Sequence, residues 1–93
     1  MACGIVLISV EPGREYTAYR AMLGVHALTD VRPLLGSADF IANISAADTD
    51  EMAKIIIEEI RSIKGVVGTK TLIVDDFLLH LLKIVEPKPG DGE

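Results

Sequence analysis

The order of local signals in the second half of the chain constrains the fold more than any other feature of the sequence. A turn at residues 36–39 opens an apolar strand, Asp48 begins a helix, and a turn after Ile63 leads into the β-forming residues from Thr69 to Val74. The first half has the pattern of strand, helix and strand. The whole chain therefore predicts the order βαββαβ, which is a split βαβ unit.

Length and composition indicate one small domain that associates with other subunits. The chain has 93 residues, of which 49% are hydrophobic, and a mean hydropathy of +0.38. One small core should not need that much apolar surface, so we expect subunit contacts. The net charge is -5 and no run of Lys or Arg is present, so we expect no direct contact with nucleic acid.

The N-terminus and the apolar stretches predict a cytoplasmic protein. Cys3 is the only cysteine, so no internal disulfide can form. No basic segment or cleavage site frames the first apolar run, as a signal peptide would require. Every apolar stretch is shorter than the roughly 20 residues that span a bilayer, so we expect no membrane helix.

Three strands are predicted before the helix that begins at Asp48. Residues 3–10 are apolar on both alternating faces, which is typical of a strand in the middle of a sheet. Residues 28–35 form the second strand, and Pro33 places it at a sheet edge because proline has no amide hydrogen to donate. The third strand is expected over residues 40–46, after a hairpin turn at residues 36–39.

Two amphipathic helices are predicted between the strands. The first runs from Glu15 to Leu23 and ends at Gly24, with its apolar stripe formed by Tyr16, Tyr19 and Leu23. In the second, Asp48 is the N-cap and Glu51 completes a variant of the capping box. The expected core stripe of this helix is Met52, Ile55, Ile56, Ile60 and Ile63. Ile57 lies to one side of that stripe and is a candidate intersubunit contact.

The end of the chain is expected to meet another subunit. The last regular strand is predicted over residues 69–75, so that residues 1–76 form the domain. Residues 77–85 are apolar except for His80 and Lys83, and we expect a partner subunit to cover them. Their leucines favour a helical turn and Ile84-Val85 favours a strand, so their conformation stays open. Residues 86–93 are expected to be a flexible tail.

The sequence contains no catalytic constellation or metal-binding motif. Cys3 begins a buried strand, and neither His26 nor His80 has a recognisable partner, so packing or interface roles are favoured for them. The acidic residues around Asp48 are explained by helix capping and lack the ligand spacing of a calcium loop. No glycine-rich phosphate loop is present, and no cofactor or metal is expected.

One group of residues suggests a ligand site. Gly36 and Asp39 lie in the hairpin turn, and Thr69 and Thr71 lie on a strand that neighbours it if the predicted order holds. Backbone amides of the turn and hydroxyls of the strand can bind a zwitterion. The alternative is that Asp39 only closes its turn and that the threonines reflect β propensity.

At these residues the sequence resembles the effector-binding RAM domain of the Lrp/AsnC transcriptional regulators, from about Gly4 to Val74. Three features carry the resemblance: a Val-Glu-Pro-Gly lead into the first helix, a turn of the Gly-x-aromatic-Asp type, and a closing Ile-x-Gly-Val followed by Thr-x-Thr-Leu. They lie at Val10 to Gly13, Gly36 to Asp39, Ile63 to Val66 and Thr69 to Leu72. Their order and spacing together are more specific than each alone.

The resemblance implies an α+β, ferredoxin-like fold, with an antiparallel sheet and two helices on one face, that assembles as a dimeric α/β barrel. It further implies higher rings such as octamers, and small effectors, chiefly amino acids, bound between dimers. The effector-binding residues carried over are Gly36, Ser37, Asp39, Thr69 and Thr71.

Two departures from the family pattern qualify this expectation. The pattern starts at the third residue, which leaves no room for the N-terminal helix-turn-helix of the regulators, so a stand-alone domain is predicted. Ala38 stands where the family usually has an aromatic residue, so a wall of the effector pocket is expected to be absent or supplied by another residue.

The predicted function is a non-enzymatic, oligomeric sensor of an amino acid or related metabolite that modulates Lrp/AsnC-type regulators. Its expected partners are copies of itself, the effector and full-length regulators of the family. One alternative is a small dimeric α/β-barrel enzyme of the monooxygenase or isomerase type, which needs a closed pocket inside the subunit with His26 or His80 pointing inward. Another is a purely structural assembly partner that binds no ligand.

Overall fold

The computed structural model describes residues 1–74 and 76–85, and the tail predicted at residues 86–93 lies outside them. The elements are β1 (Ala2–Val10), α1 (Glu15–Leu23), β2 (Leu28–Pro33), β3 (Phe40–Ala46), α2 (Thr49–Ile55) with a π-helical continuation (Ile56–Ile60), β4 (Val66–Ile73) and α3 (Asp76–Val85). The predicted order βαββαβ is confirmed, and α3 follows it.

The four strands form one antiparallel sheet in the order β2-β3-β1-β4. The predictions that β1 is central and that β2 is an edge strand are confirmed. Pro33 pairs with Phe40 at the end of β2, where the edge position tolerates a residue without an amide hydrogen. The last strand starts and ends earlier than predicted, because its pairing with β1 runs from Val66 opposite Val10 to Ile73 opposite Gly4.

The core lies between one face of the sheet and the helices α1 and α2. The alternating residues of β1 and β3 that face the helices are buried, and the largest fully buried side chains are Val6, Ile8, Met22, Ile44, Met52 and Ile60. The other face of the sheet is the open face. On it, Ile5, Leu7 and Ile41 are half-buried, and Leu72 is 51% exposed. Since both helices cover the same face, the predicted two-layer arrangement is confirmed.

The predicted apolar stripe of α1 is wrong. Ala18 and Met22 are buried, whereas Tyr16 is 69% and Leu23 is 55% exposed, and Tyr19 is partly buried where its ring stacks on Phe40 at a centroid distance of 6.0 Å. The helix carries two apolar stripes, and helical periodicity does not choose between them. The small side chain of Ala18 lets α1 pack closely against the sheet, which favours the Ala18 and Met22 stripe.

The start of α2 is as predicted. The amide of Glu51 donates to Asp48 Oδ1 at 2.8 Å, and Glu51 Oε1 accepts from the amide of Ala47 at 3.3 Å. Met52 and Ile60 of the predicted stripe are buried, and Ile55, Ile56 and Ile63 pack against the core. Ile57 is exposed, as expected for a residue beside the stripe.

The segment that the sequence left open forms the helix α3. From residue 78 onward, its large apolar side chains are between 41% and 72% exposed: Leu78, Leu79, Leu81, Leu82, Ile84 and Val85. His80 and Lys83 lie three residues apart and so share one side of the helix. Among the described residues, no helix is long and apolar enough to cross a membrane.

Candidate functional site

The hairpin turn between β2 and β3 is fixed to the end of β1 through Asp39. The amide of Asp39 donates to the carbonyl oxygen of Ile8 at 2.9 Å, and the amide of Val10 donates to Asp39 Oδ2 at 2.8 Å. The carbonyl oxygen of Asp39 also accepts from the amide of Leu34 at 2.8 Å, which closes the turn. These hydrogen bonds agree with the alternative given by the sequence, in which Asp39 closes its turn.

Gly36 gives this turn its backbone conformation. Its φ is +146°, a region that residues with a side chain rarely adopt, and a Cβ placed there would have nothing within 4 Å. The glycine is therefore required by backbone geometry and not by close approach of another group.

The two predicted threonines lie on the helix side of the sheet. Thr69 pairs with Ile8 and Thr71 with Val6, whose side chains are both in the core. Lys70, between them, pairs with Leu7 and lies on the open face. Directly opposed residues of antiparallel strands share a face, so Lys70 and the threonines point to opposite sides of β4.

A cavity of about 250 Å³ forms where the turn meets the open face of β1 and β4. Its lining residues are Leu7, Ser9, Ser37, Ala38, Gly68, Thr69 and Lys70. Of the five predicted site residues, the cavity brings together Ser37 and Thr69. Gly36 and Asp39 hold the turn in place beside it, and Thr71 lies further along the same strand and does not line it.

Sequence reasoning missed Lys70, Ser9, Leu7 and Gly68 as lining residues. Ser9 and Leu7 lie on the open face of β1, and Gly68 of β4 pairs with Ser9. The alternation of Thr69, Lys70 and Thr71 indicates that Lys70 faces away from the threonines. Only the register with β1 shows that its side of the strand holds the cavity.

A larger apolar cavity of about 410 Å³ lies between α1 and the end of the hairpin, away from the predicted site. Its lining residues are Glu15, Tyr16, Tyr19, Pro33 and Phe40. Glu15 is its one charged lining residue, and Glu15 Oε1 already accepts a hydrogen bond from the amide of Gly13 at 2.8 Å. We therefore take the smaller, more polar cavity at the turn as the candidate site.

The features required by the enzyme alternative are not found in the described part of the chain. The space between the sheet and the helices is filled by Ile8, Ile44, Ile60 and other apolar side chains, and His26 and His80 are both exposed. Within residues 1–74 and 76–85, no three His, Cys, Asp or Glu side chains are placed to hold a metal ion.

Several solved structures share this fold. TTHA0845 from Thermus thermophilus has 25% identity and a TM-score of 0.76 over 81% of this chain and 94% of its own. AsnC of E. coli has 19% identity and a TM-score of 0.73 over 78% of this chain and 50% of its own. The transcriptional regulator NMB0573 of Neisseria meningitidis, in a complex with L-Met, has 12% identity and a TM-score of 0.74, over 80% of this chain and 49% of its own.

The family assignment rests on sequence. No curated protein sequence matches the chain. The family described as the Lrp/AsnC ligand binding domain matches residues 3–79, which include the hairpin turn, β4 and the whole lining of the candidate cavity. The chain therefore belongs to the Lrp/AsnC ligand binding domain family.

Proposed function

We propose that this protein is a non-enzymatic, oligomeric effector-binding module that senses an amino acid or related small metabolite and modulates Lrp/AsnC-type transcription regulators. The observation that carries the proposal is the cavity of about 250 Å³ formed by the hairpin turn and β4, the two segments from which the family resemblance predicts effector contacts. Membership of a ligand-binding family supports it, as does the L-Met complex of NMB0573.

The five predicted site residues have two kinds of role in this proposal. Ser37 lines the cavity and contacts the effector with its side chain, whereas Thr69 contacts it with its backbone, because the Thr69 side chain lies on the helix side of the sheet. Gly36 and Asp39 act as positioning residues, because the φ of Gly36 and the hydrogen bond from Val10 to Asp39 set the turn against β1. Thr71 has no contact with the effector in this proposal, because it does not line the cavity and its side chain lies on the helix side of the sheet.

The apolar residues of the open face support assembly of two subunits through their sheets, as a dimeric α/β barrel. Ile5, Leu7 and Ile41 are only half-buried, and Leu72 is half exposed. A second copy that packs on this face would bury these side chains and would border the candidate cavity, since Leu7 belongs to both. Effector binding and assembly are then coupled by shared residues.

The helix α3 supports a further contact between copies. Its six large apolar side chains between Leu78 and Val85 are each about half exposed, and covering the rest of each contributes about 1 kcal/mol. The family match ends at residue 79, so most of this apolar surface is an addition to the family domain. We propose that residues 77–85 pack against another subunit and help to build an assembly larger than a dimer.

The mechanism of sensing is linkage between binding and assembly. A ligand that contacts one form of the assembly more favourably than another shifts the population toward that form. A regulator of the same family that forms mixed assemblies with this protein would then respond to the ligand.

The proposal is tested by measuring thermal unfolding in the presence of each of the twenty amino acids at millimolar concentration. We expect at least one to raise the unfolding temperature, and we expect Gly68→Val to abolish the increase. A Cβ at Gly68 has nothing within 4 Å, so the valine side chain fits the fold while it occupies the cavity. The matched control is Val67→Ile at the adjacent, exposed position, which adds bulk outside the lining.

A flat response to all twenty amino acids would contradict the proposed sensing. The protein would then be better described as a structural assembly partner, which the exposed side chains of α3 would still support. A response that survives Gly68→Val would place the effector elsewhere.

A further inference from the structure

We propose that the candidate cavity selects a small carboxylate ligand of net negative charge, and that Lys70 is the residue that determines this selectivity. The inference rests on the proposed function, because it names the ligand class of the same site. Acidic amino acids and 2-oxo acids belong to this class, and neutral amino acids do not.

Lys70 is the one charged residue that lines the cavity. Its register opposite Leu7 places it on the open face, on the same side of the sheet as Ser9. Within the described residues, its ammonium group has no ion pair and no hydrogen bond. The side chain is exposed, so its ammonium group is accessible to a ligand in the cavity and supplies a positive charge there.

No carboxylate in the cavity is placed to receive the ammonium group of a neutral amino acid. Asp39 is the acidic residue closest to the site in sequence, but it does not line the cavity, and its Oδ2 accepts the amide of Val10 at 2.8 Å. The ammonium group of a zwitterion would therefore find no carboxylate in the lining and would lie beside the like charge of Lys70. A second carboxylate on the ligand, or the loss of its ammonium group, removes this conflict.

Hydroxyl groups at the site match the same ligand class. Ser9 and Ser37 line the cavity, and neither side chain has an intramolecular hydrogen bond in the part of the chain that the structure describes. A serine hydroxyl can donate one hydrogen bond, and an ionised carboxylate only accepts them. Charged acceptors make the stronger hydrogen bonds, so two such donors beside Lys70 favour an anion.

The size of the cavity suits a small acid. Its volume of about 250 Å³ is that of roughly eight waters in the liquid. Ala38 contributes only a methyl group to the lining, where a larger side chain would occupy part of this space. Acids of the size of aspartate, glutamate or 2-oxoglutarate are of the right order.

The experiment compares near-isosteric ligands by isothermal titration calorimetry at low ionic strength. The ligand pairs are aspartate with asparagine and glutamate with glutamine, and 2-oxoglutarate is a ligand without an ammonium group. We expect each acid to bind at least tenfold more tightly than its amide, and 2-oxoglutarate to bind at least as tightly as glutamate. Lys70→Met should remove the preference, because it keeps the length of the side chain and removes its charge. Lys54→Met on the exposed surface of α2 changes the net charge equally and should keep the preference.

The outcomes separate this inference from the proposed function. Binding of the amides as tight as that of the acids, or an unchanged preference in Lys70→Met, overturns the selectivity and leaves the effector site standing. Binding of glutamate without binding of 2-oxoglutarate shows that an ammonium group is recognised, and it also overturns the selectivity. Failure of all five ligands and of the twenty amino acids to bind overturns both.

Discussion

Replacement of Asp39 by alanine tests whether this residue positions the turn or binds the effector directly. The substitution removes one hydrogen bond, from the amide of Val10 to Asp39 Oδ2 at 2.8 Å, in a partly buried environment. The backbone hydrogen bonds of Asp39 with Ile8 and Leu34 do not involve its side chain and are kept. Hydrogen bonds to charged groups contribute about 1.5–3 kcal/mol, so we expect Asp39→Ala to lower the free energy of unfolding by about 2 kcal/mol.

For a domain of this size, that loss corresponds to a decrease of about 8–16 °C in the unfolding temperature. Asp39→Asn keeps an oxygen that can accept from the amide of Val10, so it should lose only about 1 kcal/mol. Urea unfolding at one fixed protein concentration measures both values, since assembly makes the apparent stability depend on concentration. Asp50→Ala, an exposed aspartate in the first turn of α2, is the matched control and should cost less than about 1 kcal/mol.

Ligand binding by the same variants completes the test. If Asp39 only positions the turn, Asp39→Asn keeps most of the ligand response as well as most of the stability. If the carboxylate instead binds the effector, Asp39→Asn loses the response while its stability changes little. A stability of Asp39→Ala within about 0.5 kcal/mol of the original protein would refute the positioning role, because the hydrogen bond to Val10 would then contribute almost nothing.

Two further predictions concern the surface and the backbone. Leu82→Glu in the middle of α3 should reduce the assembly mass measured by light scattering. Lys83→Glu on the polar side of the same helix is the control and should leave the mass unchanged. An equal mass for both variants would argue against α3 as an interface. Gly65→Ala should lower stability by about 2 kcal/mol, because φ is +98° there and the new Cβ would lie 2.6 Å from Cβ of Arg14. Gly24→Ala, at a φ of -85°, is its control, and an equal effect of the two in urea unfolding would contradict this reasoning.

The bounds of several elements could be predicted because their signals are local. β3 spans the predicted residues Phe40–Ala46 and α1 the predicted residues Glu15–Leu23, since turn residues and breaks in periodicity flank both. Asp48 caps α2 as expected, because an N-cap hydrogen bond joins residues only three positions apart. The family resemblance extended these local signals to the fold and to the turn as a ligand site.

Other features could not be predicted because they depend on residues that are distant in the sequence. Which stripe of α1 is buried depends on how closely Ala18 lets the helix approach the sheet. The start of β4 at Val66 depends on its partner Val10 in β1. The π-helical turn Ile56–Ile60 has no sequence signal that we recognise.

The candidate site likewise has features that follow from local sequence and features that depend on distant residues. The sequence by itself determined the order of elements, the cap of α2, and the turn that Gly36 and Asp39 form, because each follows from the conformational preferences of neighbouring residues. Only the tertiary structure decided that Ser37 and Thr69 line a cavity and that Lys70 is its one charged lining residue. The physical reason is strand register: one residue of slip in the pairing of β4 with β1 would exchange the faces of Lys70 and the threonines.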